Sequence, residues 1–267
     1  MLYLIDHIYP EESLINLNLL SMKIFLDDNE FESYIYRITP FKHFVNSLLN
    51  KTITFSSIEK WEDPFENFLF GREHKRPNGE VFSFDRIKKS LYAQCWTFNE
   101  ESDFSWKVYS PDLNGIKIKT KLNIMYDNIM SVVKENNRIR VGKVEYLKLP
   151  EIKSQYEGRF NKYRFQLMEL KATESLFIKR EIYSHEKEVR FVLLSEQFDH
   201  KEDFIELHID YRDFIESISL DPRITKSDFD QKASYIKNLG FSGDIYQSDI
   251  YQMPELSIDF EFLFEDV

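Results

Sequence analysis

The chain has 267 residues, 42% hydrophobic and 16% aromatic, with 30% charged; this suits a folded protein with a sizeable core and excludes a disordered chain. The formal net charge of -11 opposes non-specific binding to nucleic acid. Only 7 glycines are present and neither GxGxxG nor GxxxxGK[ST] occurs, which excludes a P-loop or standard Rossmann nucleotide site.

The first 30 residues read as an irregular N-terminal arm with a short helix within 12–24, and 31–250 as the core of one domain spanning 1–267. Tyr34 to Thr39 is aromatic and β-branched and predicts a strand. Pro40 stops it and opens a helix with Phe41, Phe44, Val45 and Leu48 on one face. Lys51 to Phe55 predicts a second strand, followed by the turn-rich Trp61-Glu62-Asp63-Pro64-Phe65-Glu66. A strand over 91–98 holds the single cysteine, Cys95, which reads as a core residue; one cysteine excludes an internal disulfide and a zinc cluster. Ser102 offers a helix N-cap, with Trp106 and Tyr109 one turn apart.

Asn114-Gly115 predicts a turn into a strand of alternating polarity. The basic runs Lys117 to Lys121 and Arg138 to Arg140 read as solvated strand edges, with a local basic groove as the alternative. Leu122 to Glu135 predicts a helix, Val141 to Leu147 a strand, and Glu151 to Lys179 a long charged helix. Strands follow over 204–209 and 215–220, then a helix capped by Ser227 and closed by Gly240 at its C′ position, then Gly243 to Tyr246 as a last inner strand. Strands and helices mix without strict βαβ alternation, so the fold class is α+β: a single domain with mixed, mostly antiparallel sheets and flanking helices.

Ser184 to Leu194 carries the strongest chemical signal. Val189, Phe191 and Leu193 alternate, which predicts a strand. Residues two apart in a strand share a face, so Glu186, Glu188 and Arg190 would stand together. Adjacent carboxylates repel, and such pairs place acid–base chemistry. Solvated charge at a strand end is the structural alternative. Arg37, inside an apolar strand, either pairs with a carboxylate at the surface or grips an anion. Trp96, Trp106 and Tyr109 either pack in the core or stack a planar ring.

Asp63 and Glu66, with Glu186 and Glu188, suggest oxygen ligands for a divalent cation and a metal-dependent nuclease, although the six histidines lack metal-ligand spacing. No apolar run approaches the roughly 20 residues that span a bilayer. The N-terminus has early acids and no basic leader, so the expectation is a cytoplasmic protein without a membrane partner.

Tyr36-Arg37-Ile38-Thr39, Phe55-Ser56, Trp61 to Glu66, Cys95-Trp96-Thr97, Trp106 to Tyr109 with Gly115, and Glu186 to Arg190 occur in an order that resembles a bacterial family of unknown function containing AbiGi-like abortive-infection proteins. The same order has a more distant likeness to ADP-ribosyltransferases of the Arg-Ser-Glu class. That resemblance implies an ADP-ribosyltransferase-like fold and NAD as substrate. Arg37 would hold its phosphates or ribose, Thr97 would stand on the Ser/Thr strand, and Trp106 or Tyr109 would stack on nicotinamide. Glu188 would stabilise the oxocarbenium-like transition state and Glu186 would orient or deprotonate the acceptor. The mid-chain Ser-Thr-Ser of that class is replaced by Cys95-Trp96-Thr97.

The resemblance also implies a toxin-like effector of antiphage defence, acting on a protein or nucleic-acid acceptor and restrained by an antitoxin or chaperone. A non-enzymatic sensor or partner-binding module with aromatic anchors is the remaining alternative. Under the transferase reading Glu188→Gln would abolish activity with little change in stability.

Overall fold

The computed structural model describes residues 23–63, 65–75, 78–133, 138–159, 172–195 and 202–255. The expected helix over 12–24 lies almost wholly outside them, and its last two residues are a short strand. The strands are β1 (Lys23–Ile24), β2 (Tyr34–Pro40), β3 (Ile53–Ser57), β4 (Glu73–Lys75), β5 (Val81–Ser83), β6 (Leu91–Thr97) and β7 (Gly115–Lys121). They continue as β8 (Arg138–Lys143), β9 (Glu145–Leu147), β10 (Ile178–Arg180), β11 (Glu188–Leu194), β12 (Phe204–Leu207), β13 (Ser217–Leu220) and β14 (Asp244–Gln247). The helices are α1 (Asp28–Phe31), α2 (Phe41–Asn50), α3 (Asp85–Lys88), α4 (Asp103–Tyr109), α5 (Leu122–Val132), α6 (Leu149–Arg159) and α7 (Lys226–Asn238).

The main sheet runs β1-β8-β11-β6-β2-β7-β13-β14, with β3 and β12 branching from β6. Its pairs are antiparallel except β1 with β8 and β13 with β14. The α+β, mostly antiparallel class is therefore the observed one.

Strand β11 shows why the sheet sits where it does. Val189, Phe191 and Leu193 join a large core with Phe44 and Leu48 of α2 and Met125 and Ile129 of α5. Val192 joins a second core on the opposite face with Phe70, Phe84, Leu176 and Phe177. A strand covered on both faces is a near-continuous apolar run, as its sequence is after Arg190.

The sheet splits beside β6. On the edge away from β11, β6 meets β2 only at Thr97 with Tyr36. At its other end it meets β3, through Ala93 with Ser56 and Tyr92 with Ser57. Gln94, Cys95 and Trp96 have no strand partner on that edge among the described residues. Instead the Gln94 side chain donates from Nε2 to the Thr54 carbonyl at 3.0 Å. The backbone thus parts into two halves and leaves a gap between β2 and β6.

Several expectations change. The strand expected over 141–147 is two strands, β8 and β9. The helix expected over 151–179 covers Leu149–Arg159, residues 160–171 lie outside the described residues, and Lys179 is in β10. The cap of α7 is Thr225, two residues before Ser227, which lies inside the helix, whereas Gly240 has the left-handed φ expected of it. Strand β14 lies at the sheet edge and is not inner. Strand β7 is interior, between β2 and β13, so Lys117 (4% exposed) is a buried ion-pair partner of Glu101 and not an edge residue. Arg140 is also buried, and its guanidinium donates to the Thr173 hydroxyl.

Candidate functional site

The gap between β2 and β6 opens into a cleft of about 480 Å³, within the range of small-molecule sites. Arg37, Thr97, Tyr109, Glu186 and Glu188 all line it, as do Phe104, Lys179 and His185. Five of the six residues to which the transferase resemblance gave a role therefore converge. Trp106 does not: it is fully buried, and its indole N–H donates to Glu101. Helix α4 turns Phe104 and Tyr109, each 52% exposed, toward the cleft in its place.

One wall is a carboxylate cluster. Glu188 opens β11, and Arg190 stands two residues on, on the same face. The Arg190 guanidinium (1% exposed) donates from Nε to Glu188 Oε1 at 3.0 Å and from Nη2 to Oε2 at 2.7 Å. The same Nη2 donates to Glu66, while Nη1 donates to the Leu176 carbonyl. The Trp61 ring lies 4.4 Å from the guanidinium carbon. Lys179 Nζ completes the cluster at 2.7 Å from Glu186 Oε2, 3.3 Å from Glu66 Oε1 and 3.6 Å from Glu188 Oε2.

These contacts set the proton affinities. Burial pushes the Glu188 carboxyl up, but the Arg190 charge and hydrogen bonds outweigh it and hold it below the usual range. Burial also works against the Lys179 ammonium, and the Glu188 and Glu186 carboxylates overcome this and raise it. The Tyr109 phenol is pushed up to about 12 by desolvation and then by Glu186 and Glu188. Cys95 lines the cleft and is only partly buried, which corrects its reading as a core residue. Its thiol is raised by desolvation and by Glu188, so it is poorly suited to act as a nucleophile.

The other wall is β2. Tyr36 shares a face with Thr97, its partner across the strands. Arg37 is the next residue and starts the stretch where β2 leaves β6. No ion pair or hydrogen bond joins its side chain to another described residue, and its charge is felt by the Tyr211 phenol. Lys117 and Glu101, also lining the cleft, neutralise each other at 3.0 Å.

The sequence expectation for Glu186 is corrected. Residues Glu181–Glu186 form a 3₁₀ turn, Lys187 is left-handed with φ 44°, and the strand begins only at Glu188. Glu186 and Glu188 do converge, through the shared Lys179 rather than through strand alternation. Thr97 stands on β6 and lines the cleft. Its hydroxyl donates to the Glu186 carbonyl at 2.5 Å and accepts from Asn99 N–H at 2.9 Å, so it ties β6 to the turn before β11.

Asp63 and Glu66 are both engaged by cations. Asp63 accepts from Arg180 Nη2 at 3.2 Å, and Glu66 is paired with Arg190 and Lys179. A divalent cation would have to displace three held cations. Among the described residues no group of three or more His, Cys, Asp or Glu side chains is arranged to hold a metal ion. No helix among them is long and apolar enough to cross a membrane.

Lys179 and Phe104 were not singled out from sequence. Phe104 reads as one more apolar residue of a short helix. Lys179 stands seven positions before Glu186 in a charged stretch, and the only signal for it is the apolar lead-in Leu176-Phe177-Ile178.

Comparison with protein-family models finds no match, and comparison with curated proteins finds none. Among solved structures the chain is similar to Thermus sp. 2.9 DarT in complex with ADP-ribosylated ssDNA, at 10% identity and TM-score 0.40, over 85% of this chain and 98% of that one. It is similar also to the same protein in complex with NAD+, at 11% identity and TM-score 0.35, over 85% and 98% of the two chains.

Proposed function

We propose that this chain is an NAD-dependent ADP-ribosyltransferase. One observation carries the reading: a single cleft at the sheet split is lined both by Arg37, a cation without an ion-pair partner among the described residues, and by a buried carboxylate cluster. An anion-gripping arginine and a place that favours positive charge are what a dinucleotide requires when its positive charge passes from the ring to the ribose as the ring leaves.

NAD would supply the bond between ribose C1′ and the nicotinamide nitrogen. That bond breaks, nicotinamide leaves neutral with the electron pair, the acceptor bonds to C1′ and its proton is released. Arg37 would grip the diphosphate in two-pronged fashion. Glu188, kept ionised by Arg190, would hold the ribose hydroxyls and meet the charge that grows at C1′. Tyr109 and Phe104 would give the nicotinamide ring a flat apolar surface. Glu186, already bound by Lys179, would orient the acceptor rather than take its proton.

The acceptor would be a macromolecule, protein or nucleic acid, and the chain would work in the cytoplasm as a toxin-like effector of bacterial antiphage defence, under an antitoxin or chaperone. Titration calorimetry with NAD tests the core of this. The wild type should bind NAD and Arg37→Ala should bind it about tenfold more weakly, the loss of one charged contact. Wild type that binds no NAD, or Arg37→Ala that binds it equally well, would overturn the reading.

A further inference from the structure

The carboxylate cluster is not charge-balanced. Three carboxylates, Glu66, Glu186 and Glu188, meet two cations, Lys179 and Arg190, leaving one negative charge. Arg180, beside Lys179, does not alter the balance, because Asp63 takes it. Lys179 alone touches all three carboxylates and also lines the cleft. Its side chain is 11% exposed, and its ammonium stands 4.6 Å from the centre of the Tyr183 ring.

We propose that Lys179 is a positioning residue that holds Glu186 and Glu188 together, so that a cluster with one carboxylate more than its paired cations faces the cleft. The proposal rests on the transferase reading for its purpose but not for its geometry. Arg190 reaches Glu66 and Glu188 and makes no contact with Glu186, so Glu186 depends on Lys179 for compensation.

Without Lys179, three carboxylates would share one guanidinium. The other titratable groups around them offer no relief. Cys95 from β6, Tyr109 from α4 and Tyr146 from β9 all feel Glu188, and each is held in its neutral form. Tyr183 from the 3₁₀ turn already bonds Arg180, and His185 lies at the mouth against Phe104. The cluster would therefore take up a proton and titrate as a unit.

The test compares wild type, Lys179→Met and Lys179→Arg in two measurements. The first is the pH dependence of kcat and KM for nicotinamide release. In Lys179→Met the acid limb of kcat should move up by about one pH unit or more, with KM changed less than about threefold, and Lys179→Arg should bring the limb back. The second is melting temperature against pH, which needs no activity. A carboxylate whose folded pKa rises above its unfolded value stabilises the fold as pH falls through that folded value. Lys179→Met should therefore melt higher at about pH 5.5 than at about pH 7.5, while wild type and Lys179→Arg stay flat there. An unchanged kcat limb, or a melting curve parallel to wild type, overturns the proposal. Should Lys179→Met fail to fold, Lys179→Gln takes its place with the same expectations. If wild type releases no nicotinamide the transferase reading falls, and the melting curves still decide the role of Lys179.

Discussion

Two buried ion networks flank the cleft, and they differ in charge balance. In the first, Asp221 meets Arg223 one to one, with Nε at 2.9 Å from Oδ1 and Nη2 at 2.6 Å from Oδ2, and Ser110 donates to Oδ2 at 2.6 Å. Arg223 also donates to the Trp106 and Ser110 carbonyls, closing the C-terminal end of α4. This pair is satisfied within itself and fixes the helix that carries Phe104 and Tyr109. The second network, around Glu188, has a more deeply buried arginine, carries one carboxylate too many and opens to the cleft. Burial alone marks neither as functional. Surplus charge with an outlet to a cavity separates the site from its scaffold.

The sharpest way to break this contrast is Arg190→Leu. It strands Glu188 and Glu66 with Lys179 alone and should cost about 3–5 kcal/mol, seen as a lower denaturant midpoint. A cost below about 1 kcal/mol would mean that the network does not hold the fold. Next is Glu188→Gln, which should lower nicotinamide release by about 100- to 1000-fold. The expectation from sequence that stability would hardly change does not survive the structure. The Glu188 side chain lies against Arg190, and losing its charge should cost about 1–3 kcal/mol, limited by the remaining Glu66 pair.

Asp221→Asn sharpens the contrast from the scaffold side. It should cost a similar 1–3 kcal/mol or so in denaturant unfolding, yet leave turnover per folded molecule within about threefold. A thousandfold loss there would erase the distinction. The pH dependence of Glu188 comes next in size. Its folded pKa is depressed, so its contribution is present above the unfolded carboxylate value near 4.3 and is lost as pH falls through the folded value. Melting temperatures of wild type and Glu188→Gln should therefore converge below about pH 4. The smallest effect on stability belongs to Arg37→Ala, within about 0.5 kcal/mol, because no described residue depends on Arg37 for an ion pair.

The strands and helices that carry the cleft were legible where one local signal dominates. Aromatic and β-branched residues mark β2, Ser102 caps α4, and the apolar alternation marks β11 from Val189 onward. What escaped depends on distant parts of the chain. The split beside β6 follows from two different strands meeting one edge, which no local pattern encodes. The partners of Asp63 and Glu66 lie more than a hundred residues away, so their pairing with Arg180 and Arg190 left the metal reading open until the fold was seen. Trp106 and Tyr109 are one turn apart on a helix of seven residues, and only packing decided that the tryptophan faces the core and the tyrosine the cleft. Lys179 was hidden for the same reason: Glu66 comes from a distant segment, and only the fold brings it to the lysine that also meets Glu186 and Glu188.

The decisive measurement is nicotinamide release from NAD by the purified chain, with candidate acceptors present and Glu188→Gln beside it, both checked for folding at the assay temperature. Release by wild type that falls at least about a hundredfold in the folded variant is the expected result. Folded wild type that releases no nicotinamide, or a variant as active as wild type, would contradict it.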